Sequence, residues 1–204
     1  KTPSIQTEII LLRMKIWQLY SIFFLNMTSL KTKGWVLPQP ISIEGVFMKK
    51  TTHILFTIYI FLVIWIILFK LSVIDQLPHF RSINLIPFYY PNKTTYQIRE
   101  VLDNLIIFIP FGLYLKTLNI NSDRTIFLGF LLSISLELSQ YIFCLGASDI
   151  TDLITNTTGV LVGVGLYYLL KKIFKEKTNK IILALAAIVT ILFVSLIVII
   201  LINN

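Results

Sequence analysis

Ile181–Ile202 reads IILALAAIVTILFVSLIVIILI, a run without a single charge. At 1.5 Å per residue a helix of this length covers about 33 Å, slightly more than the hydrocarbon thickness of a bilayer. The run therefore reads as a transmembrane helix, and the chain as a membrane protein. Working back towards the N-terminus, four more segments read as spans: about Leu153–Leu170, Thr125–Leu145, Val101–Leu118 and Ile54–Ile74. The last has Lys70 near its end, where a long side chain can snorkel to the interface. The second and fourth spans, counted from the N-terminus, are the more polar. The expected fold is all-α: a polytopic transmembrane helical bundle of five spans, a four-helix core plus a C-terminal fifth.

The composition agrees. Of 204 residues 56% are hydrophobic and only 14% charged, well under the usual quarter. The formal charge of +8 comes from 18 Lys and Arg against 10 Asp and Glu. Nucleic-acid binders are also basic, but they spread that charge along a soluble face. Here it falls in short tracts between apolar runs, which implies the lipid bilayer as partner and no nucleic acid. Lys49 and Lys50 precede the first span, Lys116 and Arg124 bracket the second loop, and Lys171, Lys172, Lys175, Lys177 and Lys180 crowd the fourth around Glu176. With five spans these tracts share one side, which the positive-inside rule makes the cytoplasm. The expectation is a multi-pass protein of the cytoplasmic membrane, N-terminus inside and C-terminus outside. Arg81, Lys93 and Arg99 in the first outer loop oppose it mildly. Cys144 is the single cysteine, which excludes an intramolecular disulfide and a thiolate metal cluster; it is expected to face lipid or to be packed. No Gly-rich phosphate loop and no internal repeat are found, and neither a cofactor nor a metal is expected.

Residues 1–47 differ from the rest. Ile16–Leu30 is apolar but short for a span and contains Gln18 and Asn26. A cleaved signal peptide starting at Met14 is one reading. The preferred one is that Met48-Lys49-Lys50 is the true start. Glu44-Gly45-Val46-Phe47 can be encoded by a purine-rich GAAGGAGTT-type stretch, which resembles a bacterial ribosome-binding site. Residues 1–47 are then a non-native upstream or disordered segment.

Polar residues inside spans are expensive and mark function or helix packing. The third span carries Ser133, Glu137, Gln140, Tyr141 and Cys144 at spacings that share one helix face. Glu137 sits about 18 Å up from Thr125. Asp149, Asp152, Asn156, Gly159 and Gly163 form a second stripe, in which Gly159 and Gly163 make a GxxxG packing pair. The second span has Asp103 and Asn104, then Pro110 and Gly112; Pro110 removes a backbone donor and is expected to kink the helix. Asn104, Glu137, Gln140, Asp149, Asp152 and Asn156 are expected to form one outward-opening polar patch. The competing reading is a set of hydrogen bonds holding a bundle together, with Asp152 and Asn156 capping the fourth helix. Ion pairing of the acidic residues with Arg81 or Arg99 is the outcome expected for the patch; a bound cation or a proton are the others. His79 is one further ligand candidate from the first loop.

Four stretches then resemble the VanZ-like family. They are Asn84-Leu-Ile-Pro-Phe88; Asn104-Leu-Ile-Ile-Phe-Ile-Pro110-Phe-Gly112; Ser135-Leu-Glu137-Leu-Ser-Gln140; and Asp149-Ile-Thr-Asp152-Leu-Ile-Thr-Asn156-Thr-Thr-Gly159, followed by Gly163. The last looks like the signature Asp-x-x-Asp-x-x-x-Asn-x-x-Gly. Many relatives carry an Arg shortly before its first Asp, and Gly146-Ala147-Ser148 has none. The resemblance covers roughly residues 80–170. It implies a VanZ-like transmembrane domain at 48–180, with 181–204 as an additional C-terminal helix, and adds Asn84 to the candidate site. The name-giving member is associated with teicoplanin resistance through lowered drug binding at the cell surface. The resemblance therefore implies a bacterial cell-envelope protein that lowers glycopeptide binding or modifies the outer membrane face, with a lipid-linked cell-wall precursor or a glycopeptide as partner. The alternative is a membrane enzyme acting on a lipid or wall precursor, using Glu137, Asp149 and Asp152 as acid/base groups or divalent-metal ligands. A small transporter ranks third, because no repeated halves support it.

Overall fold

A computed structural model of the chain describes residues 43–69, 80–89 and 94–203, together with Met14, Lys15 and Gln18. The chain divides into two compact units, Lys1–Ile41 and Ser42–Asn204. Of the first, only the three residues just named are described. The rest of the sequence reading of residues 1–42, with Lys70 and His79, lies outside the described residues.

In the second unit helix α1 (Ile43–Phe69) is followed by strand β1 (Phe80–Asn84), α2 (Thr94–Thr117), α3 (Ser122–Ile142), strand β2 (Leu145–Asp149) and α4 (Ile150–Phe174). A 3-10 turn, Lys175–Lys177, leads into α5 (Thr178–Asn203). Over their described residues, the five expected spans overlap α1, α2, α3, α4 and α5 in order. Three stretches are long and apolar enough to cross a membrane: Gly45–Leu68, Ser122–Ile142 and the 46-residue Ile150–Ser195. The third comprises α4, the turn and most of α5, and it is broken at Lys175, whose φ is 49°. Helix α2 is not among the three. It carries Arg99, Glu100, Asp103 and Lys116, with Pro110 inside it.

The α2–α4 seam is the tightest packing in the unit, and glycine makes it possible. A Cβ on Gly159 would stand on the carbonyl oxygen of Leu105, and one on Gly163 on that of Ile109. Gly163 also lies against Gly112. Both helices advance four residues between these contacts, so α2 and α4 run parallel. The GxxxG pair thus selects α2 as its partner. Phe108 and Phe111 are fully buried beside this seam, and the Phe56 ring of α1 packs at a tilt against Phe111.

Pro110 cannot donate to the helix ladder, and its ring disturbs the turn before it. The polar stripe of the neighbouring helices does not supply a partner among the described residues. Instead the Tyr59 hydroxyl, from α1, donates to the Ile107 carbonyl at 2.8 Å, and the Phe111 amide lies beside the same hydroxyl. Helix α2 ends on Asn119 in the left-handed region (φ 61°). The Ile120 amide reaches back to the Leu115 carbonyl at 3.0 Å, a Schellman closure. Asn121 then caps α3, its side chain accepting from the Arg124 amide at 2.9 Å.

The two-stranded parallel sheet was not expected. Phe80–Asn84 pairs with Leu145–Asp149 in the register Phe80 to Leu145 and Asn84 to Asp149, with α2 and α3 forming the crossover that parallel pairing needs. It corrects the third span: α3 stops at Ile142, Phe143 caps it, and Cys144 turns the chain with φ 54°. Cys144 therefore lies beyond the helix, not on its face. Outside the seams, large apolar side chains stand exposed, among them Phe127, Leu161, Ile188 and Ile191. In water such a surface would aggregate; against lipid chains it is the expected exterior.

Candidate functional site

The end of the bundle where α3 gives way to β2 and α4 gathers the polar residues. Helix α3 directs three side chains to three different partners. Ser133 accepts at 2.9 Å from the Asn156 amide group of α4. One turn on, Glu137 Oε2 accepts at 2.9 Å from the Asp149 backbone N–H, while the Ser148 hydroxyl donates to the Glu137 carbonyl at 2.7 Å. At the next turn Gln140 Nε2 donates to the Ile67 carbonyl of α1 at 3.2 Å. The carboxylate and its helix thus hold the last residues of β2 in place.

Asp149 joins two elements. Its Oδ1 accepts from the Thr151 amide at 2.7 Å, which makes it the N-cap of α4. Its Oδ2 accepts from Asn84 Nδ2 at 3.1 Å. This overturns the expectation that Asp152 and Asn156 cap the helix: Asp152 lies in the first turn and Asn156 in the second, 1% exposed. Asn84 ends β1 and folds the following loop: its Oδ1 accepts from the Ile86 amide at 3.1 Å. The Phe88 amide, on a residue with φ 56°, donates to the Thr151 hydroxyl at 3.0 Å. The Asn84–Phe88 segment is thereby latched onto the start of α4.

Asp149 and Asp152 both lie near enough to Glu137 to repel it. The side chain of Arg81, one of the two expected partners of the acidic residues, lies outside the described residues. Arg99, the other, pairs with Asp103 at 3.7 Å on an exposed face of α2, so pairing through Arg99 is not what the fold builds. Asn104 is half-buried on α2 and hydrogen-bonds to none of the cluster among the described residues. Nor does any group of three or more His, Cys, Asp or Glu among the described residues have the geometry of a metal site.

Among the described residues, three buried oxygens at this end have no hydrogen-bond partner: Glu137 Oε1, Gln140 Oε1 and Asn156 Oδ1. All three are acceptors. Each unpartnered buried acceptor costs about 1–3 kcal/mol, so a cluster of them is a feature that packing alone does not favour. Chemically the set suits a group that brings donors: an ammonium, an amide or a hydroxyl-rich head. Ser148, Thr151 and Tyr59 were not among the candidate site residues of the sequence reading. Their hydroxyl groups gave no signal there, because each acts through a partner distant in the chain or through a local turn.

Fold and site together define a helical membrane protein with a buried, acceptor-rich cluster where α3, β2 and α4 meet. The chain belongs to the VanZ/LLP1 family, whose model matches residues 56–171. Protein VanZ of Enterococcus faecium is 44% identical to it over 133 residues, covering 60% of this chain and 77% of that protein. The four motif stretches lie inside the matched range. No solved structure matches the chain.

Proposed function

We propose that this VanZ-family membrane protein works at the outer face of the bacterial cytoplasmic membrane. There it engages the polar head of a lipid-linked cell-wall precursor or a glycopeptide, and so lowers glycopeptide binding, teicoplanin included, at the cell surface. The observation that carries the reading is the trio of partnerless acceptors on Glu137, Gln140 and Asn156, set beside Asp149 and Asp152. Wall-precursor heads and glycopeptides are rich in N–H and O–H donors, which such a site lacks. Asn84 and Asp149 shape the rim through their 3.1 Å contact. The outward direction rests on the basic tracts at the other end, which fit the cytoplasmic side with the N-terminus inside and five crossings. Reporter fusions test that arrangement: those after Asn121 and Lys177 are active only as cytoplasmic reporters, and one after Ser148 only as an external one. The reverse pattern defeats it. The start at Met48 is tested separately by N-terminal sequencing of the native protein.

The functional test is Asp152→Asn and Asn156→Ala, assayed for glycopeptide susceptibility and for protein level in the membrane. Loss of the phenotype at an unchanged level supports the site. Retention of the phenotype, or loss only with disappearance of the protein, makes these residues structural. A second reading, an enzyme acting on a lipid or wall precursor, is favoured by the three carboxylates that bear on one another. Gene deletion separates the two: an accumulating intermediate indicates a reaction, and altered drug binding with normal intermediates indicates binding.

A further inference from the structure

Helix α5 leaves a cavity of about 300 Å³ between itself, α1 and α2. Its wall is apolar apart from Tyr59, Tyr114 and Thr190. The Tyr59 hydroxyl is taken by the Ile107 carbonyl, and the Tyr114 hydroxyl lies beside Thr190, so the few polar groups on the wall face the backbone or one another. A dry, apolar space of this kind takes apolar matter. At about 30 Å³ for a water-sized or methylene-sized group, the space accommodates roughly ten methylenes of a chain.

One end of the cavity is lined by Leu170 and Ile182. Leu170 is followed directly by Lys171, and the stretch between the two lining residues is the basic turn. Lys171, Lys172, Lys175 and Lys177 are exposed there. None of these four is found at ion-pair distance from a carboxylate among the described residues. An apolar slot that ends beside four exposed ammonium groups has the polarity of an anionic lipid, tail inside and head outside.

We propose that the α1–α2–α5 cavity binds one acyl chain of an anionic glycerophospholipid, whose phosphate rests on the Lys171–Lys177 turn. The lipid fastens α5 to the rest of the bundle. Helix α5 is entirely apolar from Ile181 to Ile202 apart from Thr190 and Ser195, so it has few polar contacts of its own with which to fix its place. The site lies at the opposite end of the molecule from the acceptor cluster and does not rest on the function proposed for that cluster.

The test uses the full chain reconstituted in vesicles of phosphatidylglycerol or of phosphatidylcholine, with spin-labelled lipid of each kind as probe. The immobilised fraction is read for the native sequence, for Ala186→Trp, which fills the cavity, and for a quadruple Lys→Gln variant at positions 171, 172, 175 and 177. The native protein is expected to prefer phosphatidylglycerol about tenfold, as one or two engaged lysines provide. Ala186→Trp is expected to abolish the immobilised fraction for both lipids. The Lys→Gln variant is expected to bring the preference to about one while chain immobilisation remains. Val189→Phe replaces Ala186→Trp if circular dichroism shows that the tryptophan variant loses helix. Equal immobilisation of both lipids by the native protein, or an unchanged immobilised fraction in the filled-cavity variants, overturns the proposal. So does displacement of the label by a polyprenyl phosphate but not by phosphatidylglycerol, which assigns the cavity to an isoprenoid chain.

Discussion

Lys116 and Glu137 pose the same physical problem near opposite ends of the bundle, and the fold answers it in opposite ways. Each is an ionisable group in a segment flanked by apolar helices. Lys116, 8% exposed, is well supplied. Its ammonium donates to the Ile120 carbonyl at 2.9 Å and to the Ser122 hydroxyl at 3.3 Å. It also lies 5.1 Å from the centre of the Tyr168 ring and 5.9 Å from that of Tyr167, a distance at which ring faces attract cations. Glu137 is half-supplied: one oxygen holds the Asp149 amide, the other has no hydrogen-bond partner among the described residues, and two aspartates stand close by. The lysine end closes the α2–α3 connection and is finished as structure. The carboxylate end retains acceptors that structure does not use, which is the pattern expected of a site kept for something else.

The comparison needs both ends to be held by the same frame, the α2–α4 glycine seam. Gly163→Leu should break that frame and with it both ends. The added side chain meets the Ile109 carbonyl and the Gly112 backbone, neither of which can swing aside. A loss of more than about 3 kcal/mol is expected, read as disappearance of folded protein from the membrane fraction. Wild-type levels would mean that the seam is looser than the contacts indicate.

Lys116→Met should separate the ends. It leaves the Ile120 carbonyl and Ser122 without their donor and removes the ring contact, for a loss of about 2 kcal/mol. The change is measured by denaturant titration of purified protein. Glycopeptide susceptibility per folded molecule should not move. A changed phenotype at equal protein level would show that the lysine end also carries function.

How much of this was legible in the sequence follows the same division. Helices α1 and α3 and the α4–α5 stretch announced themselves because their apolar runs are long, α2 less so because of its charges, and Gly159–Gly163 announced a close contact, though not that α2 supplies it. The carboxylate cluster was legible as residue types on helix faces. Its wiring was not. Glu137 meets a backbone amide, which has no signature in sequence, and Asp149 becomes the cap only because β2 delivers it there. The sheet itself was invisible: Phe80–Asn84 and Leu145–Asp149 are five residues each, and Leu145-Gly-Ala-Ser-Asp149 has no strand-like alternation of bulk. Tyr59, read only as part of an apolar span, is the residue that attends the proline turn.

Thr151→Val tests the latch at the carboxylate end with a smaller change. It keeps the shape and removes the oxygen that receives the Phe88 amide. About 1 kcal/mol should be lost, with faster hydrogen exchange confined to the Ile86–Tyr89 loop. Slow exchange there in the variant would show that Asn84 alone holds the loop.

The smallest effect on stability and the sharpest on the comparison is expected from Glu137→Gln. The glutamine carbonyl can still accept from the Asp149 amide, so the contact that anchors β2 survives. Asp149 and Asp152 then face a neutral amide in place of a carboxyl group that their charges oppose. Stability should therefore stay within about 1 kcal/mol of the native protein, on the stable side if anywhere. Glu137→Leu is the control: it orphans the Asp149 amide and should lose about 1–3 kcal/mol. If the carboxylate serves the site, Glu137→Gln erases the phenotype while denaturant titration and membrane level stay near native, and Lys116→Met shows the reverse. If Glu137→Gln keeps the phenotype, the carboxyl group at position 137 serves no ligand. The partnerless oxygens are then a tolerated flaw in the packing, and the two ends differ only in how well they were built.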